Sequence, residues 1–194
     1  MNAIGYEYEK KFKIIHDVFF PKDNQVKKRE RYCFCGGTSS RDWETLLNAA
    51  KKCPEIQFHI IAGSGNWNKK IEIPNNVYIE FDVTEENFTD TLNKSNFIVL
   101  PVSNEVTSGL LVLFEGINAR KIVLSSYTEA IAHYYPPHLR DKYLFPIGDS
   151  ESLKSKIKEI YDKNLEGEIE EIYEYNAKYN SLDQFLKEFK NLLY

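Results

Sequence analysis

Residues 31–52 read RYCFCGGTSSRDWETLLNAAKK, and the order of events within them decides the fold class. The apolar run Tyr32, Cys33, Phe34, Cys35 is short and stops at Gly36 and Gly37, as a strand does when it meets a turn. Beyond the turn, Trp43, Leu46, Leu47 and Ala50 stand at spacings of three, four and seven, which places them on one face of a helix over 42–52. The same succession recurs downstream. An apolar run at 57–62 ends in Gly63 and Gly65, and strands follow at 77–80, 96–100 and 121–125. Thr84 with Glu85 and Glu86 opens a helix through Leu92, the hydroxyl serving as N-cap and the carboxylates suiting the positive helix end. A last strand at 143–147 leads through Gly148, Asp149 and Ser150 into a helix over 151–163. Strands alternating with helices form βα units around a parallel sheet. The expectation is therefore a Rossmann-like, three-layer α/β/α domain with a parallel sheet of about six strands.

The chain has 194 residues, enough for one well-cored α/β domain. That domain spans 31–165. Residues 1–30 lead into it, with a strand at 13–16 and a charged loop at 22–31, and 166–194 form a helical tail. In that tail Leu182, Phe185, Leu186, Phe189, Leu192 and Leu193 make one helical stripe, expected to pack on the domain. A net charge of −4 argues against nucleic acid as a partner, since such binding needs clustered Lys and Arg. An anionic ligand would have to be held locally, by loop amides and one or two cations. Three cysteines do not make a disulfide framework. Cys33 and Cys35 share a strand face but lack a second pair to complete a metal site, so they read as buried apolar thiols in a reducing, cytoplasmic compartment. The N-terminus has no signal-peptide core, and no run of about 20 apolar residues occurs.

Open parallel sheets bind ligands outside the carboxyl ends of their strands, so the loops after the strands carry the functional expectation. In the first, glycines at Gly36 and Gly37 permit close backbone approach, hydroxyls follow, and Arg41 at the helix entrance can pair with phosphate oxygens. Tight βα turns in many folds use the same residues. The second loop runs through Thr107, Ser108 and Gly109 into Leu110 and Leu111, where the unpaired amides of a helix N-terminus make an anion site. Glu115 lies on that otherwise apolar helix, either as a surface carboxylate or as one held by a ligand or an internal hydrogen bond. His59 sits inside a strand and reads as core or sheet edge. His16, His133 and His138 are unclustered in sequence, and His133 could line a cleft.

These segments, in this order, resemble the C-terminal domain of retaining GT-B glycosyltransferases of the group 1, or family 4-like, type, which includes glycogen synthase and many bacterial polysaccharide enzymes. The resemblance runs from about residue 32 to 160 and rests on the Gly-Gly loop with Arg41, 57–65, 76–77, 97–101, 108–116, 121–125 and 148–153. It implies one half of a GT-B fold that holds a nucleotide-diphosphate sugar for transfer to a saccharide or lipid-linked acceptor, with no metal and no cofactor. Glu115 matches the second acidic residue of the family's E-x7-E motif, which holds the ribose. Ser108, Gly109, Leu110 and Leu111 match the stretch whose amides meet the donor phosphate, and Arg41 matches, with a one-residue gap, the lysine that neutralises the diphosphate. Gly63 and the segment Phe81, Asp82, Val83 align with loops near the base. The chain departs from the pattern in two places. Thr107 stands where the motif has its first acidic residue, and Gly37 where the first loop has an arginine.

No catalytic residue is assigned. The acceptor-binding domain is expected in cis or in trans, leaving this half inactive by itself, and such a partner domain would be what brings it to the inner face of the membrane. Two other readings remain: a non-catalytic nucleotide-binding or regulatory module on the same fold, and a different doubly wound scaffold of response-regulator type.

Overall fold

The computed structural model describes residues 15–22, 29–68, 70–103 and 108–193. Six strands, all parallel, form one sheet: β1 (Tyr32–Gly37), β2 (Gln57–Ala62), β3 (Val77–Phe81), β4 (Phe97–Leu100), β5 (Val123–Ser126) and β6 (Leu144–Phe145). Their spatial order is β3-β2-β1-β4-β5-β6. The chain builds outward from β1 in one direction, then returns to β4 and builds in the other. The order therefore reverses between β1 and β4, and the crevice between the loops that follow these two strands is the natural ligand position.

The central strands are buried along their whole length in β4 and nearly so in β1, which is why they read as unbroken apolar runs and show no alternation. Helices cover both faces. On one side α1 (Trp43–Lys51) packs against α6 (Ser150–Ile160); on the other α2 (Glu85–Lys94) lies over β1 and beside α3 (Leu110–Asn118), which in turn carries α7 (Glu166–Tyr179). Phe34, Ile60, Ile98, Leu113 and Leu124 are without exposed surface in the resulting core, each contributing about 1.5–3 kcal/mol relative to an exposed side chain. Three of the main helices start where a side chain can replace a missing backbone partner. Asp42, Thr84 and Asp149 accept hydrogen bonds from the amides of Thr45, Asn87 and Ser152.

The expected architecture is the one observed, with local differences. Of the strand expected at 13–16, residues 13 and 14 lie outside the described residues, and Ile15 and His16 are not in a strand. The last strand is two residues long, because the chain before it forms α4 (Glu129–Ala132) and α5 (Arg140–Tyr143) around a pair of prolines. The tail is two helices. In α7, Ile169 and Ile172 are buried, whereas α8 (Leu182–Leu193) leaves Leu182, Leu186 and Phe189 between 43% and 46% exposed, so its stripe does not simply pack away.

Candidate functional site

The loops after β1 and β4 are joined by backbone. Arg41 and Val102 form an antiparallel bridge, the amide of Asp42 donates to the Pro101 carbonyl at 3.0 Å, and that of Ser103 donates to the Ser40 carbonyl at 3.0 Å. Against this seam opens a cleft of about 970 Å³ lined by the first loop (37–41), by Ser108, Gly109, Leu110 and Leu111 at the start of α3, by Asp17, Val18 and Phe20 of the N-terminal segment, and by Phe185 of α8.

Arg41 is the cation of this cleft. Its Nε donates to the Gly36 carbonyl at 2.9 Å and its Nη1 to the Ser39 carbonyl at 2.8 Å and to Ser108 Oγ at 3.3 Å. Among the described residues these partners are neutral oxygens, with no carboxylate in an ion pair with it. Burial lowers the guanidinium's pKa to about 10, so it stays charged at neutral pH. A desolvated cation with neutral partners has attraction left over for an anion. Gly37 makes the arrangement possible. Its φ is +133°, and a Cβ there would lie 2.3–2.6 Å from the Arg41 guanidinium. Where the resemblance expects an arginine at 37, the structure puts the guanidinium of Arg41 into the space that such a side chain would have to cross.

The second half of the site is the start of α3. Gly109 precedes the helix with φ +95°, a left-handed conformation that lets the chain turn from β4 into the helix. Gly109 has no side chain with which to cap this end, and a helix N-terminus leaves its first amides without intrahelical partners. Ser108 links it to the first loop, its hydroxyl donating to the Ser39 carbonyl at 3.2 Å.

The sequence-derived residues thus divide. Gly37, Arg41, Ser108, Gly109, Leu110 and Leu111 meet at one cleft. Gly36 is buried beneath it and contributes its carbonyl to Arg41. Gly63 lies on the same sheet edge, where the Thr38 side chain leaves 3.1 Å for a Cβ, but it is buried, and neither it nor Val83 lines the cleft. Thr107 lies outside the described residues. Glu115 is one turn beyond Leu111 and does not line the cleft; its carboxylate is paired with the Lys22 ammonium. Sequence reasoning missed the contribution of residues 17–22 and of Phe185, for which no local pattern gives a signal.

The histidines fall in two places. His59 does lie in the sheet, where Nε2 meets Glu80 Oε2 at 2.6 Å. His16 and His133, far apart in sequence, stack with ring centroids 3.4 Å apart, and His133 Nε2 lies 2.7 Å from Asn180 Oδ1, away from the main cleft. Burial, with His16 as the next cause, lowers the His133 pKa. Cys33 and Cys35 are buried thiols with sulfurs 3.8 Å apart. Among the described residues no group of three His, Cys, Asp or Glu side chains is placed to hold a metal ion, and no helix is long and apolar enough to cross a membrane.

No family model matches the sequence, and no curated protein matches it. Solved structures share its fold. The chain superposes on the lipopolysaccharide outer core galactosyltransferase WaaB with a TM-score of 0.67 at 15% identity, covering 93% of this chain and 55% of that one. TarM gives a TM-score of 0.62 at 18% identity, covering 93% and 37%. The pneumococcal O-GlcNAc transferase GtfA, solved in complex with UDP and GlcNAc, gives 0.62 at 15% identity, covering 92% and 38%. At such identities the likeness is one of fold alone: a Rossmann-like α/β domain. The chain spans roughly 37–55% of the length of these structures.

Proposed function

We propose that the chain is the donor-binding half of a GT-B glycosyltransferase, with a nucleotide-diphosphate sugar lying in the cleft between the loops after β1 and β4. The observation that carries this reading is Arg41, a partly buried cation whose partners among the described residues are neutral oxygens, fixed beside the start of α3 at the point where strand order reverses. The α and β phosphates would lie between Arg41 and the first amides of α3. As the sugar leaves, negative charge grows on the diphosphate, and groups already oriented towards it stabilise that charge without reorganising. Ser108 and the amide of Leu110 would share this role. The ribose would extend along α3 towards Glu115.

Transfer needs an acceptor, and the acceptor-binding body is assigned to a second domain, in cis or in trans. The sheet edge that bears the cleft carries exposed apolar side chains, with Leu111 82% exposed, Phe20 59%, Tyr127 43% and Phe81 41%, which suits coverage by such a domain. By itself this half should bind a nucleoside diphosphate and transfer no sugar.

A second reading is favoured by one feature. Among the described residues one cation, Arg41, lines the cleft, and it already serves three protein oxygens, as would suit a nucleotide-binding module without turnover. The two readings part when an acceptor domain is supplied, since only the first restores transfer.

The binding reading is tested by replacing Arg41 with Ala and titrating UDP and uridine calorimetrically. A charge-assisted hydrogen bond is worth roughly 1.5–3 kcal/mol, so UDP should weaken about tenfold or more while uridine changes little. Equal losses for both ligands would make Arg41 a structural residue and remove the reading's main support.

A further inference from the structure

The geometry points to Lys22 as a built-in competitor for Glu115: its ammonium occupies the carboxylate that the ribose would use, and the nucleotide must displace it to bind fully. This inference rests on the donor-binding reading. It begins from the way residues 15–22 are fixed. Phe19 is fully buried, edge-on to Phe114 and to Tyr173, each at 5.7 Å, and its amide donates to the Asn180 carbonyl at 2.8 Å. The Tyr134 hydroxyl donates to the Asp17 carbonyl at 3.1 Å. The far end of the segment is held by one buried amide side chain. Asn118 Nδ2 donates to the Phe20 carbonyl at 3.1 Å, and Asn118 Oδ1 accepts from the Lys22 amide at 2.9 Å.

Asn118 and Glu115 are three apart on α3 and therefore neighbours on one helix face. The bonds that fix the Lys22 backbone to Asn118 thereby deliver its ammonium to Glu115. Other residues of the segment are part of the cleft wall, which Asp17, Val18 and Phe20 line together with Leu111. A ribose travelling along α3 from the phosphate position passes the exposed Leu111 and arrives at a carboxylate already engaged.

The pair is built to yield. The Lys22 and Glu115 side chains are 51% and 34% exposed, so water screens their attraction, and the lysine can swing into solvent while its backbone stays in place. Two ribose hydroxyls donating to the carboxylate replace one partially hydrated ammonium. The contact thus lowers affinity by a modest factor and leaves the site intact, and its strength sets how much nucleotide is needed to fill the cleft.

The test titrates UDP and 2′,3′-dideoxy-UDP against the native chain, Lys22→Met, Lys22→Gln, Glu115→Gln and the Lys22→Met/Glu115→Gln double variant, with melting curves to verify folding. Removing a half-exposed ion pair should tighten UDP about three- to fivefold in both Lys22 variants. The dideoxy ligand should not respond, the double variant should bind like Glu115→Gln, and the gain should shrink in 1 M salt, which already screens the pair in the native chain. Unchanged or weaker UDP binding by the Lys22 variants, with Glu115→Gln still costly, overturns the inference and leaves the donor-binding reading standing. If instead Glu115→Gln binds UDP as the native chain does, or no variant binds UDP, it is the ribose assignment that falls, and the inference with it.

Discussion

Gly37 and Arg41 act as a pair. The guanidinium fills the space beside the glycine, and the backbone at Gly37 holds φ +133°, which side-chain-bearing residues rarely adopt. Gly37→Ala therefore does two things. It forces residue 37 into a strained conformation, worth about 1–3 kcal/mol of folding stability, and it pushes the Arg41 head away from the carbonyls of Gly36 and Ser39. Arg41 is long and flexible, so it gives way before the backbone does. UDP binding by Gly37→Ala should accordingly fall nearly as far as in Arg41→Ala, and in the Arg41→Ala background the same substitution should cost binding almost nothing further. Calorimetry and urea unfolding on the four proteins separate the two effects. Full UDP affinity in a folded Gly37→Ala protein would show that the guanidinium's position does not matter.

At the level of elements, one side chain ties three of them together. Asn76 is buried just before β3, and its Nδ2 donates to the carbonyls of Ala50, Cys53 and Ile56 at 3.0, 2.9 and 2.8 Å, joining the end of α1 to the approach to β2. Asn76→Asp would turn that donor into a carboxylate facing carbonyl oxygens, and a loss of about 3 kcal/mol or more in urea unfolding at pH 7 is expected. The loss should shrink towards pH 4, where a protonated Asp can donate once. A loss under about 1 kcal/mol at pH 7 would mean that the three elements do not depend on this amide. Which elements could be read from sequence follows from how each is stabilised. The strands and longer helices between 32 and 126, and α6, are legible because burial imposes a period and turns impose glycine. The stretch from 127 to 143 is not, because α4 and α5 are single turns held by tertiary contacts such as the Tyr135 hydroxyl on the Val123 carbonyl. The site divides in the same way. Gly37, Arg41, Ser108 and Gly109 are visible through turn and cap chemistry, whereas Lys22 reaches Glu115 from 93 positions away, and no local pattern encodes that meeting.

For the molecule as a whole, the sheet has a second edge with its own electrostatics. Lys121 precedes β5 at the end remote from the cleft. It is 3% exposed, and its ammonium donates to the Ser95 carbonyl at 2.5 Å. Burial, with Arg29 as a lesser cause, lowers its pKa to about 7. An unfolded lysine keeps its proton to about pH 10.4. Between these values the unfolded chain binds more protons than the folded one, so this group's contribution to stability is complete above the unfolded value and is lost as pH falls towards 7. Stability should rise from pH 7 to 9 by up to about 1.4 kcal/mol per unit from this residue. Urea unfolding at pH 7, 8 and 9 checks this, with Lys121→Met as the control in which the rise is absent. A flat profile in the native chain would mean that the lysine stays protonated in the fold.

The seam between the loops after β1 and β4 has a consequence for substitution. Its contacts run between backbone atoms of residues 40–42 and 101–103, which almost any side chain can supply. Most side chains of these loops can therefore change without moving the backbone, whereas Gly37, Arg41 and the turn at Gly109 are tied to their identities. A fold held in this way tolerates different spellings, and 15–18% identity to the solved structures is compatible with the shared fold.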